Sequence, residues 1–254
     1  MPKILEHFPP RETISMYVSM FFGAGGDFFN LDFKPKYAVL NDLDGNVFNL
    51  WEVVRTNPDA LVDEIERLPA CQHLWKAYEG KEIEEPILKA ALFLFFSNFA
   101  YMCGGTMKVG PVNIKQQILS GIDKIQKDLG KSGVSITNKD FRQLLSSVGY
   151  NDAILEKPKT FIYADPPYLS TANNYESGFK EQDTRDLLEV LVNSGIRFAM
   201  SEFQNPVVME MAEAHKLNII TIGERRSMKN RSTEILITNY KNQPTLFCGL
   251  LEKP

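Results

Sequence analysis

The sequence predicts an α/β fold, a doubly wound sheet of the nucleotide-binding kind carrying an inserted helical block. Three observations predict it. An apolar strand at Tyr17-Val18-Ser19-Met20-Phe21 runs straight into the glycine-rich Phe22-Gly23-Ala24-Gly25-Gly26. A second strand, Tyr37-Ala38-Val39-Leu40, ends in the polar cluster Asn41-Asp42-Leu43-Asp44 and is followed by a helix. After a stretch poor in strands, helices and strands alternate again through the second half of the chain.

Taking the elements in order, a short helix precedes the first strand. The helix after the acidic cluster, Asn46 to Arg55, has apolar residues at Val47, Leu50, Trp51 and Val54, the spacing of one helical face. From about Pro58 to Gly133 the pattern is helical with almost no strand. Leu61 to Leu68, Pro86 to Ala100 and Asn113 to Leu129 are the predicted helices, and Cys103 to Pro111 is a glycine-containing loop between the last two. Alternation resumes with helix Asp140 to Val148, strand Phe161-Ile162-Tyr163-Ala164, helix Glu181 to Asn193 and strand Arg197 to Ser201. Helix Pro206 to His215 leads to strand Asn218 to Ile222. Strands Glu234 to Thr238 and Thr245 to Leu251 close the chain and are expected to pair antiparallel at the sheet edge.

With βα units of about 30 residues, a strand end serving the same site as the glycine turn would lie roughly 70–80 residues after it. Gly23 and Asp165 are instead about 140 apart. The excess matches the helical block, so residues 1–57 with 134–254 are expected to form one domain and 58–133 an insertion.

The 254 residues carry a net charge of −4, with 44% hydrophobic and 24% charged residues, an ordinary globular composition. No apolar run of about 20 residues and no signal-peptide pattern occurs, which predicts a cytoplasmic protein without a membrane span. The three cysteines and three histidines are scattered without metal-ligand spacing, so no metal is expected. The acidic balance weighs against nucleic-acid binding by bulk charge and requires a local basic patch for it.

Three motifs carry chemistry. Phe21-Phe22-Gly23-Ala24-Gly25 lets backbone pass close to a ligand, although a plain tight turn has the same look. Phe28 stands where a dinucleotide motif needs its third glycine. Asp42, at a strand end, suits the two hydroxyls of a ribose; the alternative is a helix N-cap, for which Asp42 and Asp44 both qualify. Asp165-Pro166-Pro167-Tyr168, after a buried strand, is the specific signal. An aromatic amine is a poor nucleophile because its lone pair is delocalised into the ring. The Asp165 carboxylate and the Pro166 carbonyl can accept both N–H bonds, favouring a pyramidal nitrogen. The two prolines, Pro166 and Pro167, offer no N–H of their own. Tyr168 offers a ring on which a flipped-out base stacks. An Asp-Pro surface turn is the plain alternative.

Together with the late run Glu234-Ile235-Leu236-Ile237-Thr238-Asn239-Tyr240, these features resemble the Dam-type DNA adenine-N6 methyltransferases. The likeness is strong at 17–55 and 136–240 and poor at 58–133. It implies a Rossmann-like methyltransferase sheet, S-adenosylmethionine as cofactor over Phe21, Gly23, Gly25 and Asp42, and a target-recognition subdomain in the insertion. Asn138-Lys139-Asp140-Phe141 resembles the family's Asn-x-Asp-Phe segment, which implies that Asp140 and Phe141 border the cofactor; Asp140 also qualifies as a helix N-cap. Two departures bear on cofactor affinity: the chain begins at what looks like the helix after the family's Trp-x-Gly-Gly-Lys segment, and Ser19-Met20 replace the usual acidic residue and proline.

For double-stranded DNA as partner, the basic patch is Arg225, Arg226, Lys229 and Arg231, read as a loop between two strands; a solvated hairpin loop is the alternative. Lys108, with Lys115, is a weaker candidate that helix-surface lysines explain as well. A monomer is expected, with a restriction-modification role. The alternatives are methylation of adenine in RNA, of cytosine or a protein amide, or a catalytically weak or inactive homologue that binds DNA or a partner.

Overall fold

The computed structural model describes residues 1–69, 71–101, 104–107, 114–148, 157–169, 179–226 and 231–241. Two compact units divide the chain. One comprises Met1–Phe21, Asn30–Lys36 and Phe141–Pro254; the other comprises Phe22–Phe29 and Tyr37–Asp140.

The first unit holds five strands: β1 (Met16–Ser19), β6 (Thr160–Ala164), β7 (Arg197–Phe203), β8 (Asn218–Arg226) and β9 (Arg231–Thr238). Strands β1, β6 and β7 run parallel, with Tyr17 opposite Phe161 and Phe161 opposite Arg197. β9 pairs antiparallel with β7 and with β8, so the parallel run ends in a hairpin. Every residue of β6 is buried, as expected of a parallel strand covered on both faces. Helices α7 (Phe141–Ser147), α8 (Glu181–Asn193) and α9 (Pro206–Ala214) belong to this unit. α8 buries Thr184, Leu187, Leu188 and Leu191, a single stripe at helical spacing. α9 starts where its sequence says it should: the Asn205 side chain accepts the Val208 N–H and Pro206 takes the first turn.

The N-terminal segment, with helix α1 (Pro2–Leu5) and a 3-10 turn at Arg11–Thr13, seals this unit. Phe8 lies 4.7 Å from Phe161 and 5.1 Å from Tyr163, centroid to centroid. Tyr240 donates to the His7 carbonyl, and Arg197 binds the Thr13 hydroxyl and the Thr13 and Pro158 carbonyls.

The second unit holds the parallel pair β2 (Tyr37–Asn41) and β5 (Val134–Thr137). Its helices are α2 (Gly45–Thr56), α3 (Pro58–Arg67), α4 (Gln72–Tyr78), α5 (Pro86–Phe99) and α6 (Ile114–Leu129). α2 and α3 pack on α5, and α6 packs on both α2 and α3. Ala90 and Ala91 of α5 are fully buried, and small side chains there suit the close approach of α2 and α3. Lys115 donates to the Glu66 and Leu68 carbonyls, satisfying the C-terminal end of α3. That anchoring leaves Lys115 a helix-end role.

The mixed α/β class expected from the sequence is the one found, and the expected elements among the described residues keep their order. β5, α4 and the antiparallel ribbon β3 (Ala100–Tyr101) with β4 (Gly104–Met107) were not expected. β7 extends to Phe203. Arg225, Arg226 and Arg231, read as part of a loop, lie instead on paired strands, with Arg225 opposite Ser232 and Arg226 opposite Arg231. Cross-strand pairing carried the ladder past Gly223, where a register shift absorbs the irregularity. The expected strand Thr245 to Leu251 lies outside the described residues, as do Lys108 and Lys229.

Candidate active site

The glycine turn is shaped by aromatic packing. Gly23 and Gly25 have φ of +49° and +70°, left-handed backbone that other residues adopt at a cost. At Gly25 a Cβ would enter the Phe29 ring and come within 2.9 Å of Phe22 Cζ, so glycine is required twice over. At Gly23 a Cβ would meet nothing within 4 Å. Glycine there serves conformation and leaves open space on that side of the backbone.

Phe22, Phe28, Phe29 and Trp51 stack around the turn, with Phe22 and Trp51 centroids 5.4 Å apart. Trp51 also donates Nε1–H to the Gly23 carbonyl at 2.9 Å. Phe28, at the place of a third glycine, is 2% exposed and fills this cluster.

Asp42 braces the turn. Its Oδ2 accepts the Gly23 N–H at 2.7 Å and its Oδ1 the Asp44 N–H at 2.9 Å. Burial raises its pKa, with the Asp44 charge adding to the rise and the two N–H groups opposing it. The N-cap of α2 is Asp44, which accepts from the Asn46 N–H, so the alternative offered for Asp42 belongs to its neighbour. A carboxylate has about four lone-pair sites, and two backbone bonds leave acceptor capacity on Asp42.

The end of β2 is clipped to that of β5 by side chains that sequence reading passed over. Asn41, 1% exposed, binds Lys139 through both its amide groups and accepts from the Thr137 hydroxyl. Asn138 donates to the Asp42 and Leu43 carbonyls. Asp140 directly follows, half-buried.

In the other unit, Phe21, Phe141 and Phe179 form a triangle of rings 5.8–6.0 Å apart. Phe141 is 5% exposed. The Arg142 guanidinium lies 4.4 Å from its ring centre and pairs with Asp183 and Asp186. Phe179 was not singled out from the sequence.

The Asp-Pro-Pro-Tyr loop leaves the carboxyl end of β6. Pro166 is buried, and Asp165, Pro167 and Tyr168 are half-buried. Tyr168 Oη lies 2.8 Å from Asp165 Oδ1 and 3.0 Å from Glu234 Oε1. Its ring meets Phe203 edge to face at 4.6 Å. Burial, with the Asp165 and Glu234 charges, pushes the phenol far above its ordinary pKa, so it stays protonated. Beneath the loop sits Glu202, 0% exposed. Its carboxylate receives the Phe203 N–H at 2.7 Å and the Leu169 N–H, while Oε2 has no partner among the described residues. Burial, with Asp165 nearby, raises it to about 7. Neither Glu202 nor Glu234 stood out for its own chemistry; an acid inside an otherwise apolar strand was the available signal.

Among the described residues no cluster of three or more His, Cys, Asp or Glu is arranged to hold a metal ion, and no helix is long and apolar enough to cross a membrane.

Residues 1–85 match the family model for D12 class N6 adenine-specific DNA methyltransferases. Over 264 residues the chain is 23% identical to the type II methyltransferase M1.LlaDCHI of Lactococcus lactis subsp. cremoris, covering 91% of this chain and 88% of that one. It is 22% identical over 266 residues to a DNA adenine methylase of Vibrio cholerae serotype O1, with 92% and 89% covered. The modification methylase StsI of Streptococcus sanguinis is 24% identical across 95% of this chain, which spans 41% of that longer protein. The family match over the glycine turn and the relatives whose similarity extends over Asp165-Pro166-Pro167-Tyr168 agree with the resemblance which that tetrapeptide carries: the chain is similar to the D12 class N6 adenine-specific DNA methyltransferases.

Proposed function

We propose that this chain is a site-specific DNA methyltransferase that transfers a methyl group from S-adenosylmethionine to N6 of an adenine swung out of the duplex. The observation that carries this reading is the Asp-Pro-Pro-Tyr loop at the end of β6, with Asp165 held at 2.8 Å by the hydroxyl of Tyr168. Such a loop suits a neutral aromatic amine, because it takes N–H bonds and offers no competing backbone donor at Pro166 and Pro167.

The residues of the glycine turn fit an adenosine-type methyl donor. Gly23 leaves space where a side chain would otherwise stand, and Asp42 retains acceptor capacity for ribose hydroxyls. Phe21, Phe141 and Asp140 are the further candidates for that donor's adenine. When bound, S-adenosylmethionine supplies an electrophilic methyl group on sulfur.

The chain's own residues do the rest. Asp165 and the Pro166 carbonyl accept the two N–H bonds of the target amine and return electron density to its nitrogen. Pro167 fixes the path of the loop, and Tyr168 supplies a ring for base stacking, a contact of about 1–3 kcal/mol per base. Arg225, Arg226 and Arg231 on β8 and β9, together with Lys229 of the same basic stretch of sequence, are the candidates for gripping phosphates, and Lys108 for contacts from the insertion.

The test is transfer of label from methyl-labelled cofactor to DNA, followed by base analysis. Labelled N6-methyladenine is expected, falling at least about 100-fold in Asp165→Ala, the lower range for losing a positioned polar group. Label in cytosine, or a fully active Asp165→Ala variant, would contradict the reading.

A further inference from the structure

Buried acids cost stability unless they are engaged, and Glu234 is 5% exposed on β9 between two paired strands. Among its partners is Tyr168, whose single O–H faces two carboxylate oxygens, Asp165 Oδ1 and Glu234 Oε1, at 2.8 and 3.0 Å. A hydroxyl has one proton and two acceptor sites. Placed between two carboxyl groups, it can receive from one while giving to the other. We propose that Glu234 is a positioning residue that takes up, through the Tyr168 hydroxyl, the proton released from the target amine. This rests on the function proposed above.

The proton balance is simple. As the amino nitrogen forms its bond to the methyl carbon, the carbon–sulfur bond breaks and its electron pair stays on sulfur. The nitrogen is left positively charged and must lose one proton, which Asp165 Oδ1 takes. Asp165 then donates to Tyr168 Oη as Tyr168 passes its own proton to Glu234 Oε1. The phenol is restored, Asp165 is again a carboxylate, and the proton has moved to the far side of the ring without any change of oxidation state. Burial, which keeps the phenol neutral, suits it to this exchange.

Other titratable groups bear on Glu234 and belong in any pH analysis. Glu202 neighbours it through the β7–β9 pairing, and Tyr163 lies within electrostatic reach of Tyr168. Across β9, Gly223 pairs with Glu234, next to Glu224 and with Lys3 Nζ nearby.

The experiment compares wild type, Glu234→Gln, Glu234→Asp and Tyr168→Phe in labelled methyl transfer to DNA across pH 5–9. Cofactor affinity and thermal melting are measured alongside. Glu234→Gln is expected to lower kcat at least about tenfold and to move the acid limb of the kcat profile. Cofactor Kd and KM for DNA should stay within about twofold. Glu234→Asp should recover part of the rate. Tyr168→Phe keeps the ring, fills the same space and should reproduce the loss, so the test stands even if Glu234→Gln folds poorly. Wild-type kcat and an unchanged profile in both Glu234→Gln and Tyr168→Phe would overturn the relay. If wild type itself labels no adenine, the proposed function falls and the relay with it.

Discussion

Replacing Glu202 by Gln should flatten the pH dependence of stability. In the folded chain this carboxyl is 0% exposed and titrates near 7, raised chiefly by burial from an ordinary 4.5. Between those values the unfolded chain has released its proton and the folded chain still holds it. The folded state is therefore favoured most below pH 4.5, and stability falls as pH rises toward 7. A displacement of that size corresponds to about 3 kcal/mol. Gln resembles the protonated form: its Oε1 still accepts the Phe203 N–H, and it carries no charge to bury. Urea unfolding of both proteins at half-unit steps from pH 4.5 to 8 isolates the effect, because every other titrating group is shared. The difference between the proteins should grow in favour of Glu202→Gln by about 3 kcal/mol over that window and then level off. Parallel stability curves would show that Glu202 ionises without penalty and would refute this reasoning.

Three further perturbations separate folding from ligand roles at the glycine turn. Gly25→Ala forces a methyl into Phe29 and Phe22 and should cost about 2–5 kcal/mol, from left-handed strain and overpacking together; a melt close to wild type would contradict this. Gly23→Ala meets open space, so only about 1–2 kcal/mol of backbone strain is expected. Cofactor affinity should nevertheless drop in calorimetry, and unchanged affinity would remove Gly23 from the binding site. Trp51→Phe keeps an aromatic ring in the cluster but deletes the bond to the Gly23 carbonyl and part of the packed indole, for a loss of at least about 1 kcal/mol. A loss no larger than that of an exposed substitution would show the bond to be idle.

Much of this was legible in the residues themselves. A strand buried on both faces announces itself by composition, as Phe161-Ile162-Tyr163-Ala164 does, and Asn205-Pro206 marks a helix start by capping chemistry. The glycine turn was legible as a turn, but its aromatic filling was not: nothing local ties Trp51 to a carbonyl 28 positions earlier. The same holds for Asn138, whose partners at Asp42 and Leu43 lie about 95 residues away. β5 escaped because Val134-Ser135-Ile136-Thr137 is short, and its pairing with β2 is a tertiary fact. The stretch carrying Arg225, Arg226 and Arg231 looks like a loop by charge, and these three become strand only through cross-strand pairing. Glu202 and Glu234 show the sharpest limit, since an acid's value depends on what faces it.

The most direct measurement is sequencing that reports modified bases in DNA from cells expressing the chain or its Asp165→Ala variant. N6-methyladenine at one fixed sequence context, absent with Asp165→Ala, is the predicted result. Modification at cytosine, no modification with the wild-type chain, or adenine methylation that survives Asp165→Ala would contradict it.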